Sequence, residues 1–115
     1  MSPGASLPLP GKGSVPQVRH TARARRDLLD IWIDIALDDP AAADRVYGRL
    51  EARVQILERF PEIGEARPDI ANDARVLVER PYLIVYRILS ESVQTVRVLH
   101  GARYVDAALF GEGVE

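Results

Sequence analysis

The chain has 115 residues, 47% of them apolar and 28% charged, with a net charge of −2 and a pI of about 5.7. That is enough for one domain with a modest core of its own. With no Cys, disulfides, thiol nucleophiles and thiolate metal sites are excluded. The longest uncharged apolar run in the domain, residues 82–86, is far too short to span a bilayer.

Charge is unevenly placed. Residues 75–104 carry a local excess of +3, with Arg75, Arg80, Arg87, Arg97 and Arg103 against Glu79 and Glu91. Residues 61–74 carry −3. Proteins that grip RNA or DNA through the backbone usually hold a larger positive excess. Lys12 is the only lysine. With the abundant Ala, that bias fits a GC-rich genome better than phosphate recognition.

Residues 1–16 are rich in Pro and Gly and have no periodic apolar face, so they read as a flexible tail. They do not resemble a signal peptide. Gln17–Thr21 suits a short edge strand, and Thr21 is a good N-cap. A first helix is expected over 22–38, with Leu28, Ile31, Trp32, Ile35 and Ala36 on one face. Asp39 caps a second helix and Pro40 fits its first turn. That helix is expected over about 41–60, with Ala43, Val46, Tyr47, Leu50, Val54, Leu57 and Phe60 inward. The short connection makes the two helices antiparallel neighbours. Residues 61–74 read as a loop.

Three strands follow at 75–79, 82–89 and 93–100, rich in Val, Ile, Leu and Tyr. A three-residue turn, Ser90–Ser92, pairs even positions with even ones. Ile84, Tyr86 and Ile88 would then share a face with Val96 and Val98. Val85, Arg87, Thr95 and Arg97 would share the other, which keeps both arginines out of the core. The expected fold is α+β: an N-terminal edge strand, then a helical hairpin packed on one face of a three- to four-stranded, mainly antiparallel sheet. Its other face is left partly open, with Arg87 and Arg97 on it. The folded domain is placed at 17–110, with 111–115 as a C-terminal tail.

Several short motifs in this order resemble one family. They are ARRDLLDIW at 24–32, AAADR at 41–45, FPEIG at 60–64, RP at 67–68, YLIVYR at 82–87 and VLHGAR at 98–103. The chain resembles the ParE-type toxins of the ParE/RelE superfamily over residues 17–110. The resemblance implies the toxic half of a bacterial type II toxin–antitoxin pair, with growth arrest, plasmid stabilisation and a cytoplasmic location. Its partners would be a ParD-like or other small DNA-binding antitoxin and DNA gyrase, with a homodimer possible inside the toxin–antitoxin complex and no membrane. ParE-like members are understood to poison gyrase without chemistry of their own. RelE-like members cut mRNA on the ribosome. A degenerate member that retains only antitoxin binding is a third reading.

A ribonuclease leaving a cyclic phosphate needs a base, an acid and positive charge on the phosphorane. His100 or Glu79 could be the base and Tyr104 the acid, with Arg87, Arg97 and Arg103 as the clamp. The near-neutral charge argues against this. So does Leu83, which stands where many RelE-like enzymes carry Arg. The preferred reading has no catalytic residues. It places target or antitoxin contacts at Arg87, Arg97, His100, Arg103 and Trp32. Against it stand simpler roles: a strand-end histidine bonded to the backbone, solvated sheet arginines, and a tryptophan anchoring helix one in the core. No cofactor is expected. With only His20 beside His100, no metal is expected either.

Overall fold

The computed structural model describes residues 17–101 and 107–114. The chain begins with strand β1 (Gln17–His20), then α1 (Ala22–Ala36) and α2 (Pro40–Gln55), which ends in a single 3₁₀ turn at Ile56–Glu58. Strands β2 (Glu65–Ala66), β3 (Ala74–Glu79), β4 (Tyr82–Ile88) and β5 (Ser92–His100) follow, and helix α3 (Ala107–Val114) closes the chain. The five strands form one sheet in the order β1-β5-β4-β3-β2. The β2–β3, β3–β4 and β4–β5 pairs are antiparallel, and β1 lies parallel to β5 at the edge. The sheet is thus mixed and has one more strand than expected. The addition is the two-residue β2, which the polar composition of 61–74 hides.

Both helix starts follow from their caps. Thr21 accepts the Ala24 N–H through its hydroxyl, and Asp39 accepts the Ala42 N–H ahead of Pro40. The second helix stops earlier than expected. The chain tightens at Ile56 and turns, so Phe60 is 59% exposed instead of inward. Tyr47 is exposed too.

The core has two parts, one on each face of the sheet. The helical hairpin covers the first, where Leu28, Leu50, Val54 and Leu57 meet Leu77, Tyr82, Ile84, Tyr86, Val93 and Val98. Helix α3 covers the second, where Phe110 meets Ile70, Ala74, Val76, Val85 and Val96. Residues 111–114 are therefore part of a packed helix, where the sequence suggested a tail. Helix α3 lies over part of the sheet face expected to stay partly open. At Gly113 an added Cβ would collide with the Val96 carbonyl oxygen, so α3 approaches β5 only because that residue has no side chain.

The expected even-to-even register holds only at one end of the β4–β5 hairpin. Ile84 faces Val98 and Val85 faces Arg97, but Tyr86 faces Thr95 and Ile88 faces Val93. The shift leaves Val96 as the extra residue of a β-bulge. The bulge turns Val96 onto the α3 face, opposite to the expected side, and swings Arg97 toward the helices.

Candidate functional site

Arg97 shows the largest departure from the sequence expectation. It is 4% exposed and does not sit on an open face. Strand β1 pairs with β5 only as far as Thr95, where the chain turns into α1. Beyond that point the carboxylate of Asp27 takes the place of a neighbouring strand. It accepts the Val98 N–H at 2.9 Å and two guanidinium N–H groups of Arg97 at 2.8 and 3.2 Å. This is why an acid that sequence places off the core face is buried. Arg97 also donates to Glu112 of α3 at 2.9 Å and to the Leu109 carbonyl at 3.5 Å. Hydrogen bonding to Asp27 raises the Arg97 pKa above its usual value, against the opposing effect of burial. The guanidinium ties α1, β5 and α3 together and has no free face for a ligand.

Arg87 is half-buried and donates to Gln94 at 2.9 Å, with the Asp73 carboxylate at 3.8 Å. His100 is exposed at the far end of β5, edge-on to Tyr82 with ring centroids 5.2 Å apart. Arg87 pairs with Gln94 and Tyr82 pairs with His100. Five residues of strand therefore separate the two positions, about 17 Å at ~3.3 Å per residue. One phosphate cannot be held by both. Arg103 and Tyr104 lie outside the described residues.

Glu79, Tyr82 and His100 form a row across three strands, joined by direct cross-strand pairing. The Glu79 carboxylate, however, is taken by Arg49 at 3.4 Å and Arg53 at 3.6 Å, both from α2. Trp32 is half-buried and belongs to neither core. Its indole N–H donates to Asp44 at 2.9 Å and links the two helices at the surface. The anchoring role expected for it passes to Leu28.

What the sequence reading missed is mainly apolar and exposed. Leu29, Ile33 and Leu37 line the outer side of α1, and Phe60 and Ile63 flank Pro61. Arg59, Phe60, Pro61, Glu62 and Ile63 line a shallow depression of about 400 Å³. A second, polar cleft of about 620 Å³ lies between the start of α1, Gln94 and the end of α3. The α1 stripe was detectable as a second run at four-residue spacing. The exposure of Phe60 was not, because it depends on where α2 ends. Among the described residues no group of three His, Cys, Asp or Glu could hold a metal ion, and no helix is long and apolar enough to cross a membrane.

The family of ParE toxins of type II toxin–antitoxin systems (parDE) matches residues 18–104. Y4kP of Sinorhizobium fredii is 41% identical over 86 residues, covering 73% of this chain and 86% of that protein. Toxin RelE2 of Caulobacter vibrioides is 37% identical over 87 residues, or 76% of this chain and 97% of that one. Among solved structures, the chromosomal ParDE toxin–antitoxin system of P. aeruginosa contains a chain with TM-score 0.66 and 23% identity, covering 76% of this chain and 97% of that one. The RelBE2 toxin–antitoxin complex of Mycobacterium tuberculosis contains another, with TM-score 0.57 and 26% identity, covering 80% of this chain and 98% of that one. Strand, helical hairpin and meander are thus the α+β fold of the ParE/RelE superfamily, and this chain belongs to the ParE toxin family of type II toxin–antitoxin systems.

Proposed function

We propose that the chain acts as a binding toxin that inhibits DNA gyrase, is held silent by its cognate antitoxin, and cuts no nucleic acid itself. The observation that carries this reading is the dispersal of the cations a ribonuclease would need. Arg97 is locked to Asp27 and Glu112, and Arg87 and His100 stand at opposite ends of a hairpin. Transition-state stabilisation of a phosphorane requires several positive groups converging on one atom. Protein recognition requires less: a few charged side chains around an apolar patch suffice. Arg87 and His100 are the described residues we assign to target or antitoxin contact, with Arg103 beyond them in the sequence. Arg97 is withdrawn from that role because its guanidinium is buried. The partners fit this reading in kind: the related solved structures are toxin–antitoxin assemblies.

The ribonuclease reading retains one supporting feature, the Glu79–Tyr82–His100 row, and one experiment separates the two. On expression without antitoxin, DNA replication stops and the DNA-damage response rises before translation fails. Early cleavage of ribosome-bound mRNA, with DNA damage absent or late, contradicts the proposal. Normal growth despite folded, abundant protein shows a member that only binds antitoxin.

A further inference from the structure

The loop after α2 presents an apolar surface that neither the core nor the proposed target contact uses. Phe60 and Ile63 are 59% and 48% exposed on either side of Pro61. With Arg59 and Glu62 they line the shallow depression of about 400 Å³. The fold imposes this exposure. Tyr86 holds the Pro61 carbonyl and the Gly64 N–H, and Arg75 donates to the Glu62 and Gly64 carbonyls at 3.1 and 2.7 Å. A loop pinned at these residues holds Phe60 outward, so covering its ring takes another segment.

The start of strand β1 lies close by. His20 meets Glu51, and β1 lies against the 3₁₀ turn at Ile56–Glu58. Helix α2 therefore advances along β1 from His20 toward Gln17, and Phe60 follows two residues after that turn. Residues 1–16 join the fold at Gln17, at the same end of the molecule. The other exposed apolar stripe, Leu29, Ile33 and Leu37, is on α1. That helix starts at the His20 end of β1 and runs antiparallel to α2, away from Gln17.

We propose that the Leu7–Pro10 stretch of this chain's own N-terminal segment folds back over the Phe60–Pro61–Ile63 depression as an intramolecular cap. Leu7 and Leu9 each precede a proline, which confines both to extended or polyproline backbone and lowers the entropy cost of ordering them. Proline-rich stretches dock on aromatic surfaces through that preformed shape. The six residues 11–16 reach up to about 20 Å, and Gly11 and Gly13 let the chain turn back. Charge agrees in sign. Lys12 is the only charged side chain in 1–16. Glu58 and Glu62 stand on either side of Phe60 without an ion pair among the described residues, against the single cation Arg59. A tether this short supplies an effective concentration on the order of millimolar. A contact too weak to persist between separate molecules therefore forms within one. It ties down at one point a segment whose composition reads as a flexible tail, and whatever binds Phe60 must displace it first. This goes beyond the gyrase reading and does not depend on it.

NMR of the purified full-length chain tests this. The Leu7 and Leu9 methyl groups should show NOEs to the Phe60 ring, with intensities per molecule unchanged on dilution. Leu7→Ser with Leu9→Ser should shift the amides of Phe60, Glu62 and Ile63 and leave those of α3 in place. Phe60→Ser should in turn move the Leu7 and Leu9 methyl signals to the values of a free peptide. Phe60 is exposed, and circular dichroism checks that the variants fold. No NOE, with the amides of Phe60, Glu62 and Ile63 unmoved by the leucine changes, overturns the proposal and leaves the depression to solvent or to a partner. NOEs to Ile33 or Leu37 place the segment on α1 and overturn it as well. NOEs that fade on dilution show a contact between copies, which contradicts an intramolecular cap.

Discussion

The two faces of the sheet are built on different principles. The helical-hairpin face is a broad apolar core, with ten buried residues drawn from α1, the α2 region and three strands. The α3 face has a single aromatic, Phe110, on a smaller apolar patch. It depends on two close fits: the Arg97 ion pairs and the approach of Gly113 to Val96. The first face draws its stability from area, which tolerates small changes. The second draws it from a few specific contacts, which do not.

The sharpest way to break this comparison is Arg97→Ala. It leaves Asp27 buried beside a lost cation and detaches Glu112, so the expected cost is about 3–5 kcal/mol. A urea titration followed by circular dichroism measures it. A loss below about 1 kcal/mol would show that Arg97 is solvated, as its sequence neighbourhood suggested. Arg97→Ala therefore cannot serve as a test of toxicity, because stability is lost first.

Gly113→Ala comes next. The new Cβ would collide with the Val96 carbonyl, so α3 shifts off β5 at a cost of about 1–3 kcal/mol. Hydrogen exchange should speed up across residues 107–114 and leave α2 protected. Equal loosening of both helices would mean that the two faces fold as one unit and are not separable.

Tyr86 sharpens the contrast from the hairpin side. Its hydroxyl donates to the Pro61 carbonyl at 2.7 Å and accepts the Gly64 N–H at 2.9 Å, which pins the 61–64 loop to the sheet. Gly64 has no alternative, since a Cβ there would lie 2.6 Å from that hydroxyl. Tyr86→Phe should cost about 1 kcal/mol. Burial also raises the Tyr86 pKa above 10.0, with Tyr82 and Tyr47 shifted the same way. The native state then keeps protons that the unfolded chain has released. The contribution is complete below pH 10, the unfolded value, and is lost as pH rises through the folded one. Alkaline melts should therefore show stability falling above about pH 10, less steeply in Tyr86→Phe. An unchanged slope would assign the fall to other groups.

Arg87→Ala is the smallest effect on the fold. Its partners are a glutamine amide and a carboxylate 3.8 Å away, so stability should move by no more than about 0.5 kcal/mol. Toxicity should fall if Arg87 contacts the target. Full toxicity with unchanged antitoxin binding would remove it from the interface.

The hairpin face was the more legible in the sequence. Leu28, Leu50, Val54 and Leu57 follow a 3.6-residue period, and Thr21 and Asp39 announce both helix starts. Helix α3 was not legible. AALFGEGV contains two glycines and has no polar face to set its apolar side apart, so local pattern reads it as a tail. Arg97 was misplaced because its environment is non-local. The bulge at Val96 reverses the alternation on which the register argument relies, and the carboxylate that receives Arg97 comes from 70 residues earlier in the chain. The same cause dispersed the candidate site. Arginines at 87 and 97 look equivalent on an ideal hairpin, yet one bulge leaves the first at the surface and buries the second.

The measurement that bears most directly on the central claim uses purified components. The full-length chain is added to DNA gyrase with relaxed plasmid and ATP, with and without its antitoxin. The account predicts loss of supercoiling and accumulation of cleaved DNA, both reversed by antitoxin, and no cutting of mRNA on purified ribosomes at the same toxin concentration. Unimpaired supercoiling together with mRNA cleavage on ribosomes would contradict it.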